Sequence, residues 1–243
     1  MKTLLAVLLT LASAAPVRCA RSFNGTSDSI SVGNDTNLNF TVPMTVAAWV
    51  NYNGISPNAP IVSFGNATAN RGWALYAKNS TCGNGVTLFL LNVAGGCNGP
   101  AVPTTGWAFV AVVVTTNNFH YVVIPAGGAI STVNEAVSSS PLTGANTAWI
   151  GYTYNSASQY FSGSIANVMV WVGSALADSE LQAAAYHGPY AVNHTLSGFW
   201  PLWGAASLEP DLSGHHFMGT LSGTAVANHC PCGPDILLAG LDE

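Results

Sequence analysis

The feature that most limits the fold of this chain is a succession of short apolar segments, each interrupted by glycine, proline, asparagine or threonine. The segments are rich in β-branched and aromatic residues, a composition typical of strands. They cover residues 29–32, 44–52, 61–64, 73–77, 86–93, 107–115, 119–124, 147–152, 164–172 and 199–203. Many short strands separated by turn residues predict an all-β sandwich or barrel.

Two segments indicate how the strands are layered. Residues 109–114 (Phe-Val-Ala-Val-Val-Val) are apolar at every position, which indicates an inner strand of a two-sheet stack. Residues 178–186 favour a helix, because they combine good helix formers with two acids in the first turn. His187, Gly188 and Pro189 then end it. We therefore predict a two-sheet antiparallel sandwich with one short helix near 178–186.

The first residues have the features of a secretory signal peptide. Lys2 supplies positive charge, residues 4–11 are apolar, and Ala12-Ser13-Ala14 offers small residues for cleavage. The apolar run is shorter than the about 20 residues that span a bilayer, and no later run reaches that length. We expect a signal peptide over 1–14, one domain over 15–223, a C-terminal tail over 224–243, and a secreted, extracellular protein without a membrane span.

The chain is very poor in charge. Charged residues make up 6% of it, with a formal net charge of −5, against about 25% in an average soluble domain. Its five lysines and arginines form no run, which argues against a nucleic-acid partner. Glycans can hydrate such a surface instead. The six N-x-S/T sequons predict N-glycosylation at Asn24, Asn34, Asn39, Asn66, Asn79 and Asn193.

The order of the motifs resembles laminin-G-like jelly-roll domains of the concanavalin A-like lectin/glucanase superfamily. Residues 23–32 are similar to the opening of those domains, residues 45–50 and 106–110 to two of their tryptophan-containing strands, and residues 161–171 to the strand before their helix. The resemblance extends from about Phe23 to Gly223. It implies a jelly roll, and a function among the lectins, glycanases, adhesion modules and structural domains that share this fold.

The resemblance also implies a structural Ca²⁺ as a candidate cofactor, since related domains hold this ion with loop carboxylates and carbonyls. Asp28 matches the second acid of the opening motif and Asp35 lies near it, so these two are the candidate ligands. Elsewhere the family's acids are replaced, by Asn24 in the opening motif and by Ala166 and Asn167 before the helix. The alternative role for an isolated turn carboxylate is to bond local backbone.

No catalytic residue is predicted. Glycanases of this superfamily use closely spaced carboxylates on one strand, because retaining hydrolysis needs an acid and a nucleophile about 5 Å apart. Asp178 and Glu180 lie at the start of the helix, and Glu209 and Asp211 lie in a turn. We therefore expect a non-enzymatic protein. A glycanase is the remote alternative, and loss of turnover on changing Glu135 or Asp178 would establish it.

Five cysteines in a secreted chain predict disulfides. Cys82 and Cys97 flank a strand-like segment and predict a local bridge, worth about 3 kcal/mol through the unfolded state. Cys230 and Cys232 are too close for a relaxed bridge to each other. Because chain ends usually meet in jelly rolls, we expect Cys19 to pair with one of them. The remaining thiol is then a candidate for an intermolecular bond.

Aromatic residues are the remaining candidates for ligand contact. Most of the seven tryptophans lie inside strand motifs, so we expect them in the core. Residues 152–160 instead combine aromatic and amide groups in a loop, as carbohydrate-binding loops tend to, although an ordinary polar hairpin has the same composition. The candidate ligand-binding residues are Tyr152, Tyr154, Asn155 and Tyr160.

The predicted function is that of a secreted, N-glycosylated, non-enzymatic lectin-like or adhesion domain whose partners are glycans or extracellular proteins. The alternative is a structural subunit of an extracellular coat, sheath or filament that self-assembles. Low charge favours the alternative, because little repulsion opposes association, and so does a leftover cysteine. Sugar-dependent retention would indicate the first function, and large assemblies at low concentration the second.

Overall fold

The computed structural model describes residues 20–34, 36–39, 41–66, 71–90, 96–137, 147–153, 159–203 and 208–227. The predicted signal peptide, Cys19, Asp35, Tyr154, Asn155, Cys230 and Cys232 lie outside these ranges. Within them the chain forms two antiparallel sheets, so the predicted all-β sandwich is confirmed. No helix in this part of the chain is long and apolar enough to cross a membrane.

The fifteen strands and the helix follow one another in a single pass along the chain. They are β1 (Ala20–Asn24), β2 (Ser29–Asn34), β3 (Met44–Tyr52), β4 (Asn58–Asn66), β5 (Arg71–Asn79), β6 (Thr87–Leu90), β7 (Ala108–Val114), β8 (Asn118–Pro125), β9 (Ser131–Ala136), β10 (Thr147–Ile150), β11 (Ser162–Val172), α1 (Asp178–His187), β12 (Gly198–Trp200), β13 (Leu208–Glu209), β14 (Gly219–Ser222) and β15 (Ala225–Ala227). Two short 3-10 helices span Thr36–Leu38 and Pro189–Ala191.

Neighbouring strands in both sheets come from distant parts of the chain. The eight-stranded sheet has the order β15-β1-β11-β3-β7-β8-β9, with β12 also paired to β11. The seven-stranded sheet has the order β13-β14-β2-β10-β4-β5-β6. Alternate side chains of the two sheets fill the space between them, and Val46, Val110, Leu75 and Trp73 are among those fully buried there.

The outer face of the eight-stranded sheet is covered by the helix. Trp49 and Phe109 lie on this face and pack in one cluster with Leu181 and Ala185 of α1, and the Trp49 indole N–H donates to the Ala185 carbonyl at 2.9 Å. This second cover explains why every residue of β7 is buried. The sequence indicated two-sided burial for this strand, and the helix supplies one of the two sides. The outer face of the seven-stranded sheet carries no helix among the described residues.

The C-terminal boundary lies further along the chain than expected. Residues 225–227 (Ala-Val-Ala) fall in the tail predicted from residue 224, yet β15 pairs with β1, placing Ala227 opposite Ala20. Three residues carry too little pattern to predict a strand, and the hydrogen-bonding edge of β1 determines their conformation. The sheet therefore extends beyond Gly223.

Candidate functional site

Aromatic and hydroxyl side chains stand side by side on the outer face of the seven-stranded sheet. Trp149 of β10 lies opposite Ser63 of β4 on one side and opposite Ser31 of β2 on the other. Ser31 is in turn opposite Thr220 of β14. Successive residues of a strand point to opposite faces, and Ile150 enters the core. Trp149 therefore points away from the core, in line with the hydroxyl residues.

A groove follows this row of residues and has a volume of about 460 Å³. This volume lies within the range of small-molecule sites, roughly 300–1,000 Å³. One wall is aromatic and the other carries hydroxyl groups. Its main lining residues are Trp149, Tyr152, Tyr160, Ser29, Ser31, Thr220 and Ser222. We call this the aromatic groove.

The three aromatic rings of the groove form a contiguous, partly exposed surface. The ring centroids of Trp149 and Tyr152 are 5.3 Å apart in an edge-on arrangement, and those of Tyr152 and Tyr160 are 4.9 Å apart. Burial raises the pKa of Tyr152, and the neighbouring Tyr160 raises it further. The Tyr152 phenol is therefore neutral at physiological pH and keeps its hydrogen-bond donor.

Backbone contacts hold the two tyrosines in place. Tyr152 and Tyr160 lie opposite each other in an antiparallel bridge. The Ser63 hydroxyl donates to the Tyr152 carbonyl and the Ser56 hydroxyl donates to the Tyr160 carbonyl, both at 2.9 Å. Gly151, which precedes this bridge, has φ of 75°, a left-handed conformation that favours glycine. The rings are thus presented from a defined backbone and not from a free loop end.

A second, smaller cavity of about 250 Å³ lies on the same sheet and is rich in amide groups. The hydroxyl of buried Tyr76 lies 2.9 Å from Gln159 Oε1 and 3.3 Å from Thr153 Oγ1. Burial raises the pKa of Tyr76, partly opposed by the bond to Thr153. The lining includes Asn58, Tyr76, Asn79, Thr81, Phe89 and Gln159. We call this the amide cavity.

The predicted Cys82–Cys97 disulfide is confirmed and borders the amide cavity. It closes the chain around β6, which carries Phe89. The pairing predicted for Cys19, Cys230 and Cys232 concerns residues outside the described ranges. That pairing and the leftover thiol therefore stay predictions.

The structure brings together two of the four predicted ligand-binding residues. Tyr152 and Tyr160 line the aromatic groove, whereas Tyr154 and Asn155 lie outside the described residues. Sequence reasoning missed Trp149, because its position in a strand motif suggested the core. The signal was its neighbours: Ala148 and Ile150 are both buried, which leaves Trp149 for the opposite face. Core packing does hold for Trp49, Trp73, Trp171 and Trp200.

The predicted glycosylation sites differ in exposure. Asn24 and Asn193 are exposed and Asn39 is partly exposed, whereas Asn79 is only 7% exposed. Asn34 and Asn66 are the last residues of β2 and β4. The Asn24 side chain also organises its own turn, since its Oδ1 accepts hydrogen bonds from the backbone N–H groups of Thr26 and Ser27. Glycan occupancy stays a prediction at all six positions.

The acidic side chains in the described part of the chain line neither the groove nor the amide cavity. They are instead engaged with other protein groups. Asp28 accepts from the Asn24 backbone, Glu135 from Asn98, Asp211 from Phe199 and Ser213, Glu180 from the Ala177 backbone, Asp178 lies 2.7 Å from His120 Nε2, and Glu209 pairs with Arg21. No pair of these carboxylates therefore faces the groove.

The candidate calcium ligands meet few partners of the required kind. The Asp28 carboxylate is 6% exposed and accepts hydrogen bonds from the Asn24 backbone N–H at 3.0 Å and the Ser27 hydroxyl at 3.3 Å. Asp35 lies outside the described residues. Ca²⁺ takes six to eight oxygen ligands, and no group of three or more His, Cys, Asp or Glu side chains in the described ranges could hold a metal ion. Asp28 therefore fits a turn-stabilising role, and a calcium ion at this turn stays a prediction.

The paired antiparallel sheets, with one outer face under a helix and the other bearing a groove, define a jelly roll of the concanavalin A-like class. A laminin G family model, described as the concanavalin A-like lectin/glucanases superfamily, matches residues 24–182. The chain belongs to this family, as the resemblance implied. Comparison with curated protein sequences gives no match.

Solved structures with the same fold have low sequence identity to the chain. One is a protein of Bacteroides ovatus ATCC 8483 to which carbohydrate binding is attributed, with a TM-score of 0.63 and 17% identity over 88% of this chain. The chain spans 60% of the length of that protein. A heptameric SAP-like pentraxin from Limulus polyphemus gives 0.55 and 14%, covering 88% of this chain and 97% of the pentraxin. Domain 4 of a Geobacillus stearothermophilus arabinanase, solved with arabinotriose, gives 0.51 and 19%, covering 67% and 74%.

Proposed function

We propose that this chain is a secreted, N-glycosylated, non-enzymatic lectin-like domain that binds glycans in the aromatic groove. The observation that carries the proposal is the contiguous surface of Trp149, Tyr152 and Tyr160 facing a row of hydroxyl groups. A sugar ring has an apolar face of C–H groups and an edge of hydroxyls. The groove offers an aromatic surface to the first and hydrogen-bonding groups to the second.

The position of the groove agrees with this role. The helix occupies the outer face of the eight-stranded sheet, whereas the three aromatic rings on the opposite side of the molecule remain partly exposed. Binding sites typically combine an aromatic lining with a few placed polar groups. Two proteins of the same fold are described with carbohydrate, one by its attributed function and one by its bound arabinotriose. Their identity to this chain is low, so the groove itself carries the proposal.

The placement of the acids supports binding without catalysis. Retaining and inverting glycosidases both need two carboxyl groups flanking the scissile bond. The described carboxylates are occupied by local structure, and none lines the groove. Glu135, one of the two acids that a glycanase would have used, contacts Asn98 at 2.6 Å. Asp178, the other, begins the helix on the far side of the eight-stranded sheet.

The test is retention on a glycan array by the secreted protein and by Trp149→Ala. We expect wild type to be retained by at least one glycan and the variant to bind it about tenfold more weakly, the effect of losing a stacking contact of about 1.4 kcal/mol. Tyr190→Ala is the matched control, because Tyr190 is a 55% exposed aromatic residue next to the helix. Equal retention of wild type and Trp149→Ala would contradict the proposal.

Self-assembly into an extracellular structure is the second candidate. Leu208 and Met218 are exposed at 46% and 43%, and they lie beside β13, the edge strand of the seven-stranded sheet among the described strands. Exposed edge strands with apolar side chains favour pairing between copies. Light scattering of the eluted protein tests this candidate. Large assemblies that dissolve in Leu208→Lys would support it, and a monomer at micromolar concentration would exclude it.

A further inference from the structure

The amide cavity lies on the same sheet face as the aromatic groove and shares its aromatic floor. Phe89 of β6 is opposite Ala74 of β5, and Ala74 is opposite Ser63 of β4, which is opposite Trp149. Trp149 and Phe89 both pack against Ala74 and Tyr76. One line of paired residues therefore runs from the groove to the cavity.

The separation of the two sites corresponds to a chain of sugars and not to a single ring. Trp149 and Phe89 are three strand positions apart along this line, from β10 through β4 and β5 to β6. Neighbouring strands are spaced by about 4.8 Å, which gives roughly 14 Å across the sheet. Between them lie the small side chains of Ser63 and Ala74, both fully buried in the sheet surface. A ligand lying over this row meets no large side chain between its two ends.

The amide cavity has the chemistry of a second sugar site. Phe89 gives it a partly exposed aromatic surface. The side-chain amides of Asn58, Asn79 and Gln159 supply both donors and acceptors, and Gln159 is held by the hydroxyl of buried Tyr76 at 2.9 Å. Sugar hydroxyl and acetamido groups need this mixture of donors and acceptors.

Neither lining contains a charged side chain. Lys78, two residues beyond Tyr76 on β5, lines neither cavity. Recognition of a carboxylate or sulfate group normally uses arginine or lysine with charge-assisted bonds. The described surface of the two sites provides none of these, so it favours an uncharged ligand.

We propose that the amide cavity is a second sugar subsite, and that the ligand of this protein is a neutral oligosaccharide spanning both sites. This inference rests on the proposed function of the aromatic groove. It adds the location of the second subsite, the minimum length of the ligand and its lack of charge.

The test is titration calorimetry with defined sugars. The probes are cello-, manno-, chito- and arabino-oligosaccharides of one to five units, together with 3′-sialyllactose and a heparin tetrasaccharide as anionic probes. For the neutral series that binds, we expect the tetrasaccharide to bind at least about tenfold more tightly than the monosaccharide. Phe89→Ala should remove most of this gain and leave monosaccharide binding within about twofold. Thr81→Trp, which fills the amide cavity from an exposed position, should do the same without removing core contacts.

The outcomes separate the two proposals. If wild type binds no probe, or if binding is unaffected by Trp149→Ala, the proposed function fails. If binding depends on Trp149 but not on chain length, Phe89 or Thr81, the proposed function stands and the second subsite is wrong. Tighter binding of the anionic probes, lost in Lys78→Gln, would overturn the prediction of an uncharged ligand. Unchanged neutral binding in Lys78→Gln is the expected control result.

Discussion

The ion pair between Arg21 and Glu209 gives the sharpest test of how this sandwich is held together. Arg21 lies on β1 of the eight-stranded sheet and Glu209 on β13 of the seven-stranded sheet. Their side chains are 3% and 0% exposed, and Arg21 Nε donates to Glu209 Oε1. The pair therefore connects the two sheets near one open edge of the sandwich, in a chain that has only five basic residues.

Removing one partner should be far more costly than removing both. Glu209→Leu leaves a buried guanidinium without its carboxylate, and loss of one partner of a buried pair costs about 3–5 kcal/mol. For a domain of this size that cost lowers Tm by roughly 6–20 °C. The double variant Arg21→Met with Glu209→Leu replaces the pair by apolar groups of similar volume. We expect its free energy of unfolding to equal that of wild type or to exceed it by about 1–4 kcal/mol.

The assay is urea unfolding followed by tryptophan fluorescence, with the disulfide intact and m compared between variants. Glu180→Gln is the matched control, because Glu180 pairs with His194 at 3.2 Å with both side chains about one-third exposed. An exposed pair of this kind is worth about 0–1 kcal/mol. If Glu209→Leu costs no more than Glu180→Gln, or if the double variant is as unstable as the single one, the reasoning from burial is refuted.

Three further predictions concern stability, pH and modification. Asp211→Ala should cost about 3 kcal/mol in urea unfolding, because buried Asp211 accepts bonds from the backbone N–H groups of Phe199, Ser213 and Phe217; a loss below 1 kcal/mol would contradict this role. Stability should fall as pH rises from about 10, since the unfolded chain then releases tyrosine protons that the fold retains; absorbance titration at 295 nm should show late ionisation of Tyr52, Tyr76, Tyr121 and Tyr152, whose pKa values burial raises, and ionisation of all eight tyrosines near pH 10 would refute it. Glycopeptide mapping should find glycan at exposed Asn193 and none at buried Asn79, and the reverse pattern would show that burial does not govern occupancy here.

The pattern along the sequence was sufficient for the strands of the core and for the helix. The all-apolar β7 and the segment that begins at Asp178 have local compositions that few other structures accept. The short strands β13, β14 and β15 were not predicted, because two to four residues carry no periodicity. Their hydrogen-bonding neighbours determine their conformation.

The candidate site was only half predictable for a related reason. Tyr152 and Tyr160 stood out as aromatic residues in a polar segment, and the structure places both in the groove. The hydroxyl wall could not be foreseen, since Ser31, Trp149 and Thr220 come from three distant segments that only the strand order brings together. A single sequence contains the alternation of faces within a strand, but not the identity of the neighbouring strand.

The scarcity of charge also has a different meaning once the fold is known. It first suggested a surface hydrated by glycans, and the structure removes further charge from that surface. Arg21, Asp28, Glu209 and Asp211 are each at most 6% exposed, where they form a buried pair or hold turns together. The exterior is therefore even less charged than the composition implies. An uncharged groove on such an exterior offers no electrostatic attraction to anionic glycans, which is why stacking and neutral hydrogen bonds have to supply the affinity of this site.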